Sequence, residues 1–238
     1  MEISVIVPAL NEEKYIEDCL KSILNQTFPR KRYEIIVSDG ASTDNTGKIA
    51  KRYADRVVVS KKRGIWWGRN YGAKFAKGKY LVFIDADTVL DKDYLETVYP
   101  YLEKGYVGVS TGFRLSGKGL KLRAYENVGG WWWWIASKIN WISTIGFNVC
   151  IPKTIFNEIG GFKNVPAEDV IMDMELKKIG KNHFVKKRKV CVSSRRLKDY
   201  GLFGYCRYYI ETELIGRGKI KNPKKMGWIK NKSYSPVR

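Results

Sequence analysis

The segment Tyr80-Leu81-Val82-Phe83-Ile84-Asp85-Ala86-Asp87 runs five apolar residues straight into two carboxylates on alternate positions. A short, continuous apolar run of this kind reads as a strand buried on both faces. Its end at Asp85 and Asp87 then falls at the carboxyl edge of a sheet, where open α/β sheets bind their ligands. Two hard oxygen donors at such an edge suit Mn²⁺ or Mg²⁺, ions that share their coordination with substrate phosphates. Any acidic loop can carry two aspartates at this spacing, so the pair gains its weight from the sequence around it.

Outward from this segment, strand and helix patterns alternate through the first hundred residues. Residues 3–7 form a β-branched run ended by Pro8. Asn11 is placed to cap the next helix, and Glu12 and Glu13 suit its positive end. Ile16, Cys19, Leu20, Ile23 and Leu24 then recur at helical spacing as one apolar face. Strands are expected at 34–37 and 56–60, with a short helix from Thr43 or Asp44, a helix over 68–76 and another from 91 or 92 to 104. Repeated βα units with apolar strands imply an α/β chain with a mostly parallel sheet covered on both faces. In the second half the patterns predict strands at 107–113, 147–151 and 184–193. They predict helices at 120–140, 153–159, 168–179 and 200–216, the third burying Ile171, Leu176 and either Met174 or Met172. From Gly218 onward the chain reads as loop.

The 238 residues, 44% hydrophobic and 29% charged, suffice for one globular domain or one domain with an appendage. The formal charge of +20 is unevenly placed. Residues 177–238 carry nineteen Lys or Arg against only Asp199, Glu211 and Glu213, whereas residues 1–176 are close to neutral. A segment so basic calls for an anionic partner: a lipid surface, a phosphorylated substrate or nucleic acid. Cys19, Cys150, Cys191 and Cys206 are scattered, with no C-x-x-C pair, and read as buried free thiols. Met1-Glu2-Ile3-Ser4 enters a strand directly, so no signal peptide is expected, and no apolar run reaches the ~20 residues that span a bilayer. The nearest stretch, 128–151, is interrupted by Lys138, Asn140 and Asn148.

Five pieces occur in an informative order. Val5-Ile6-Val7-Pro8-Ala9-Leu10-Asn11-Glu12-Glu13 closes the first strand, and Val37-Ser38-Asp39-Gly40-Ala41-Ser42-Thr43-Asp44 the second. Gly68-Arg69-Asn70-Tyr71-Gly72 opens the helix before Asp85-Ala86-Asp87, and Gly160-Gly161-Phe162 precedes Glu168-Asp169. Over roughly residues 3–196 this set resembles the inverting glycosyltransferases of family 2, which have the GT-A fold: a Rossmann-like, mostly parallel sheet flanked by helices. The resemblance implies a catalytic domain over 1–196, with a nucleotide-sugar half (1–105) and an acceptor half (106–196). A basic, aromatic extension over 197–238 would follow.

What the resemblance implies can be stated residue by residue. Pro8, Leu10 and Glu12 would surround the base and ribose of a UDP- or GDP-linked sugar donor. Asp39 would accept a hydrogen bond from the base, or else serve as a turn residue or cap. Arg69 sits where the family places a positive group near the diphosphate. Asp85 would hold the donor ribose or sugar and share with Asp87 the binding of Mn²⁺ or Mg²⁺, which offsets the charge building on the leaving diphosphate. Asp169, beside Glu168, matches the carboxylate that activates the acceptor; the alternative is that both merely favour the positive end of a helix. The only histidine, His183, reads as structural, although many relatives carry a late His near the metal. Arg195 and Arg196 could hold phosphate oxygens bidentately or belong to the basic surface.

Gly129-Gly130-Trp131-Trp132-Trp133-Trp134 is the other unusual stretch. Adjacent helical side chains point about 100° apart, so four successive Trp cannot share one core. Some are left for a sugar acceptor, a lipid headgroup zone or a protein contact. With the basic tail they suggest a peripheral contact with an anionic membrane surface and a lipid-linked acceptor. The expectation is a metal-dependent glycosyltransferase, cytoplasmic and peripheral on the inner face of the cell membrane, without nucleic acid as partner. Two alternatives are a non-catalytic protein that binds anionic surfaces or nucleic acid, and a nucleotidyltransferase. The second lacks its usual basic, glycine-rich loop, since Pro8 is followed by Glu12 and Glu13.

Overall fold

A computed structural model of the chain describes residues 1–219 except Asn140 and Pro166. Its strands are β1 (Ile3–Ala9), β2 (Tyr33–Asp39), β3 (Arg56–Val59), β4 (Tyr80–Ile84), β5 (Thr88–Leu90), β6 (Gly108–Leu115), β7 (Asn148–Pro152) and β8 (Asn182–Val192). The helices are α1 (Ile16–Leu24), α2 (Thr46–Tyr53), α3 (Ile65–Ala73), α4 (Tyr94–Glu103), α5 (Leu120–Lys138), α6 (Lys153–Ile159), α7 (Glu168–Ile179) and α8 (Arg195–Gly216), the last kinked at Gly201. One sheet runs β3-β2-β1-β4-β7-β6-β8-β5. β3, β2, β1 and β4 are parallel, β7 runs against both β4 and β6, β8 runs with β6, and β5 opposes β8. The sheet is therefore mostly parallel, with helices on its faces, as the strand patterns imply.

Register sets where the site falls. Ile3 lies opposite both Tyr33 and Tyr80, so β1, β2 and β4 rise in step and end together near Ala9, Asp39 and Ile84. The chain moves outward from β1 through β2 to β3, then returns to the other side of β1 as β4. This reversal opens a crevice at the carboxyl edge between β1 and β4. β1, β2 and β4 are buried along their whole length because helices cover both faces. Val5, Val7, Ile35, Val82 and Ile84 pack on one side of the sheet, and Ile6, Ile36, Leu81 and Phe83 on the other.

Two glycines let α3 lie directly on this sheet. A Cβ at Gly68 would come within 3.0 Å of the Pro8 side chain, and one at Gly72 within 2.6 Å of Ile6 Cγ2. The close approach carries the residue between them in sequence, Arg69, into the crevice.

Several local expectations are corrected. Asn11 does not cap α1: it adopts φ 55°, the helix starts at Ile16, and its Oδ1 accepts from the Thr43 amide at 2.9 Å, tying two loops together. The helix expected over 68–76 begins earlier, at Ile65, because Gly64 turns the chain at φ 123°. α2 starts at Thr46, where Asp44 Oδ1 accepts from the Thr46 amide at 2.9 Å. β5, directly after Asp87, is too short to show in the pattern and is held by pairing to β8. On α7, Met172 and Leu176 are buried, whereas Met174 and Ile171 are only half-buried, so the buried face also takes Val170 in place of Ile171. Cys19 and Cys150 are buried free thiols, Cys191 is a free thiol but only half-buried, and the side chain of Cys206 lies outside the described residues, as does the tail from residue 220.

Candidate active site

A cleft of about 490 Å³ opens at the carboxyl edge. Pro8, Leu10, Glu12 and Asp39 line one end, Asp85, Asp87 and Arg69 its floor, and Glu168 and Asp169 the opposite wall. The five motifs thus converge on one space, although up to about 160 residues separate them in sequence.

Arg69 is the hub, 2% exposed. Its Nη1 donates to Glu168 Oε1 at 2.8 Å, and its Nη2 donates to Asp85 Oδ1 at 2.9 Å and to the Gly146 carbonyl at 2.8 Å. Its guanidinium carbon lies 4.9 Å from the centre of the Phe162 ring. A planar, permanently charged fork makes such a three-way bridge possible, and a lysine could not reproduce it. Arg69 therefore ties the end of β4 to the start of α7.

The neighbouring Asn70 holds the Gly160-Gly161-Phe162 turn in place. Its Oδ1 accepts from the Phe162 amide at 2.9 Å and its Nδ2 donates to the Phe162 carbonyl at 2.8 Å. Gly160 and Gly161 both have left-handed φ, 75° and 73°, and a Cβ on Gly161 would lie 2.5 Å from Asn70 Oδ1. Phe162 packs edge-on against Phe83, 5.1 Å between ring centres, anchoring the turn to β4. The turn thus sets the position from which α7 starts.

At that start Ala167 is held at φ 61°, a costly conformation for a residue with a side chain. Asp169 Oδ2 packs so closely on Gly146 that a Cβ there would be 2.6 Å away. Among the described residues no Lys or Arg pairs with Asp169; its Oδ1 accepts from the Val170 amide at 3.0 Å. Burial pushes the Glu168 carboxyl up to about 7, the adjacent Asp169 charge adds to this, and Arg69 opposes it.

The other carboxylate pair is engaged differently. Arg195 donates in a bidentate fork to Glu12 at 2.9 and 2.8 Å and lies 3.2 Å from Asp87 Oδ2. Asp39 is 5% exposed and acts as a turn residue, its Oδ1 accepting from the Ser42 amide at 3.0 Å and the Ser42 hydroxyl at 2.6 Å, while it also faces the cleft. The side chain of Arg196 lies outside the described residues. His183 is remote, the second residue of β8 and paired with Val109 at the amino end of these strands, stacked on Tyr101 at 4.2 Å. Burial, with Lys138 and Lys104 nearby, holds its imidazole below the usual value.

Asp85 and Asp87 suit a hard divalent cation. Among the described residues no cluster of three His, Cys, Asp or Glu forms, so the protein offers at most two carboxylates. That donor set is one in which substrate phosphate and water complete the coordination.

The cleft also contains residues that the motifs do not mark. Lys62, Arg63, Trp66 and Trp67 form a basic and aromatic rim before Arg69, with Lys62 Nζ 4.1 Å from the centre of the Trp67 ring. Thr212 and Glu213 of α8 close the wall beside Asp169, and Gly146 and Thr144 come from the loop before β7. The sequence signal for the rim was the run Lys61-Lys62-Arg63 ahead of Trp66-Trp67. Gly146 and Glu213 carry no such signal. Of the four successive Trp, Trp133 lines the cleft and packs with Trp134 against the core, while Trp131 and Trp132 face outward.

The sequence profile of "Glycosyl transferase family 2" matches residues 4–163. The poly(ribitol-phosphate) beta-glucosyltransferase of Bacillus spizizenii is 28% identical over 206 residues, covering 82% of this chain and 31% of that protein. Among solved structures, S. aureus TarS in complex with UDP-GlcNAc superposes with a TM-score of 0.64 at 22% identity, over 81% of this chain and 58% of the other. The mannosyltransferase PcManGT of Pyrobaculum calidifontis, in complex with GDP-Man and Mn²⁺, gives a TM-score of 0.66 at 25% identity, over 81% and 56%. The chain thus has the GT-A fold and spans about a third of the length of the first of these relatives.

Proposed function

The chain belongs to glycosyl transferase family 2, and from that membership we propose that it moves a sugar, with inversion, from a nucleoside-diphosphate donor to the hydroxyl of an acceptor. One observation carries the reading: Arg69 joins the end of β4, with Asp85 and Asp87, to the start of α7, with Glu168 and Asp169, across a single cleft. Donor and acceptor carboxylates are thereby held at fixed separation by a buried cation, the preorganisation that transfer between two bound substrates requires.

Pro8, Leu10 and Asp39 flank the base and ribose. Asp85 and Asp87 would hold Mn²⁺ or Mg²⁺, which would supply positive charge to offset that building on the leaving group. Arg195 exchanges its bonds to Glu12 and Asp87 for phosphate oxygens when the donor arrives. Asp169 takes the proton of the acceptor hydroxyl as its oxygen bonds to the anomeric carbon, and the bond from that carbon to the diphosphate breaks with its electron pair leaving on oxygen. Asp169 suits that work because no basic side chain among the described residues forms an ion pair with it, Arg69 acting on it only through its nearby charge. Glu168 fixes Arg69 and hence the distance between the two halves. The aromatic helix α5, one of whose Trp lines the cleft, favours a lipid-linked acceptor.

Calorimetric titration with UDP, GDP and their sugar conjugates, with and without Mn²⁺, tests this. Binding of one nucleotide that needs the cation and is lost in Asp87→Asn is expected. Binding of none of them would move the protein to a non-catalytic, anion-binding role, and undiminished binding by the variant would remove Asp87 from the cation site.

A further inference from the structure

Helix α5 has apolar residues on two faces, and only one of them packs against the protein. Leu122, Tyr125, Trp133 and Ala136 lie on β6 and β8 or beside the cleft. The opposite side repeats at helical spacing as well: Leu120, Ala124, Val128, Trp131 and Trp132. Leu120 is 86% exposed, Val128 67%, Trp131 59% and Trp132 53%. At 1.5 Å per residue this stripe is about 18 Å long. An exposed apolar stripe of that length marks an interaction surface rather than a scatter of single surface residues.

We propose that this outer face of α5 docks on an anionic lipid bilayer, with Trp131 and Trp132 seated in the headgroup zone. Charge selects the occupant. Arg123 flanks the stripe, Lys138 ends it, and Lys186 lies 4.5 Å from the centre of the Trp134 ring on the same flank. A second copy of the chain would present the same cations to this face, bringing like charges together in a +20 protein. An anionic membrane surface instead pairs with every one of them. Tryptophan's preference for the interface and the shallow insertion of an amphipathic helix account for the apolar part. No described helix is long and apolar enough to cross a membrane, so the contact is lateral. The inference deepens the proposed transfer to a lipid-linked acceptor: Trp133 on the same helix lines the cleft, which places the bilayer beside the acceptor wall.

The test is co-sedimentation of the full chain with phosphatidylcholine vesicles, with and without phosphatidylglycerol, for wild type and Val128→Ser/Trp131→Ser/Trp132→Ser. Wild type should bind the anionic vesicles in a salt-sensitive way, and the triple variant on the order of tenfold more weakly with nucleotide binding unchanged. Brominated phosphatidylcholine should quench part of the wild-type tryptophan emission, a measurement that needs no variant. Absence of wild-type binding, equal binding by the variant, or lack of quenching would overturn the proposal. A wild-type dimer that the variant converts to monomer would overturn it in favour of self-association. Nucleotide titration on the same samples keeps the two readings apart, since vesicle binding without nucleotide binding would refute the transferase reading alone.

Discussion

The two carboxylate pairs of the cleft share Arg69 but are built on opposite principles. Asp85 and Asp87 stand at the end of a fully buried strand, and each already faces a guanidinium: Arg69 at 2.9 Å for Asp85, and Arg195 at 3.2 Å for Asp87. Their charge is compensated within the protein, and in the proposed mechanism a donor with its cation would replace these partners. Glu168 and Asp169 stand at the start of a helix behind a strained Ala167, and the cation goes only to Glu168. In the proposed mechanism the pair that binds charge is already ion-paired within the protein, whereas the group that takes the proton has no ion pair of its own and feels Arg69 only through its nearby charge. On the proposed mechanism, the difference separates binding from chemistry within one small space.

The sharpest way to break this division is Asp169→Asn. If Asp169 is the base, transfer should fall by roughly 10²–10⁴-fold, the span of general-base contributions, while calorimetric nucleotide affinity stays within about twofold. Full turnover by this variant would remove Asp169 from the chemistry. Gly146→Ala probes the same side without touching a charge. The new Cβ would sit 2.6 Å from Asp169 Oδ2, so the carboxylate must move. A displacement near 1 Å costs on the order of 100-fold in rate. Steady-state kinetics should show that loss in kcat, with nucleotide binding preserved. A change in nucleotide affinity instead would mean that the two pairs are not separable.

How much of this was legible follows the same division. The donor side is written locally: an apolar strand must end somewhere, and Asp85 and Asp87 follow at once, so strand, edge and carboxylates come from eight consecutive residues. The Glu168–Asp169 side, the acceptor side of the proposed mechanism, depends on contacts across the sequence. Glu168-Asp169 could be picked out by resemblance, but its link to Arg69, 99 positions away, could not. Gly146 looks like any loop glycine until Asp169 is seen to fill the space of its missing side chain. Asn11 shows the reverse failure: good cap chemistry in the right place, overridden because its amide oxygen serves Thr43 on the neighbouring loop. The Trp run was readable only as a contradiction, four rings that cannot share one core. Assigning Trp133 to the cleft and Trp131 and Trp132 to the outside required the helix phase.

The smallest expected effect concerns Glu168, and its sign distinguishes the two pairs. Burial and the adjacent Asp169 charge raise its carboxyl from the ordinary 4.5 to about 7, despite Arg69, and Asp85 adds a further repulsion. A carboxyl raised in the folded state stabilises that state fully below the unfolded value, and the contribution is lost as pH rises through the folded one. Without nucleotide or cation, wild type should therefore lose thermal stability relative to Glu168→Gln between pH 4.5 and 7. The two Tm–pH curves should diverge in this one direction across the window, by about 2–4 °C for each ~1 kcal/mol of differential protonation. Glu213, also raised by burial, titrates in both proteins, so the difference between them isolates Glu168. A parallel pair of Tm–pH curves would mean that Arg69 holds Glu168 ionised throughout. Glu168 would then be as fully compensated as Asp85 and Asp87, and the contrast between the two pairs would rest on Asp169 alone.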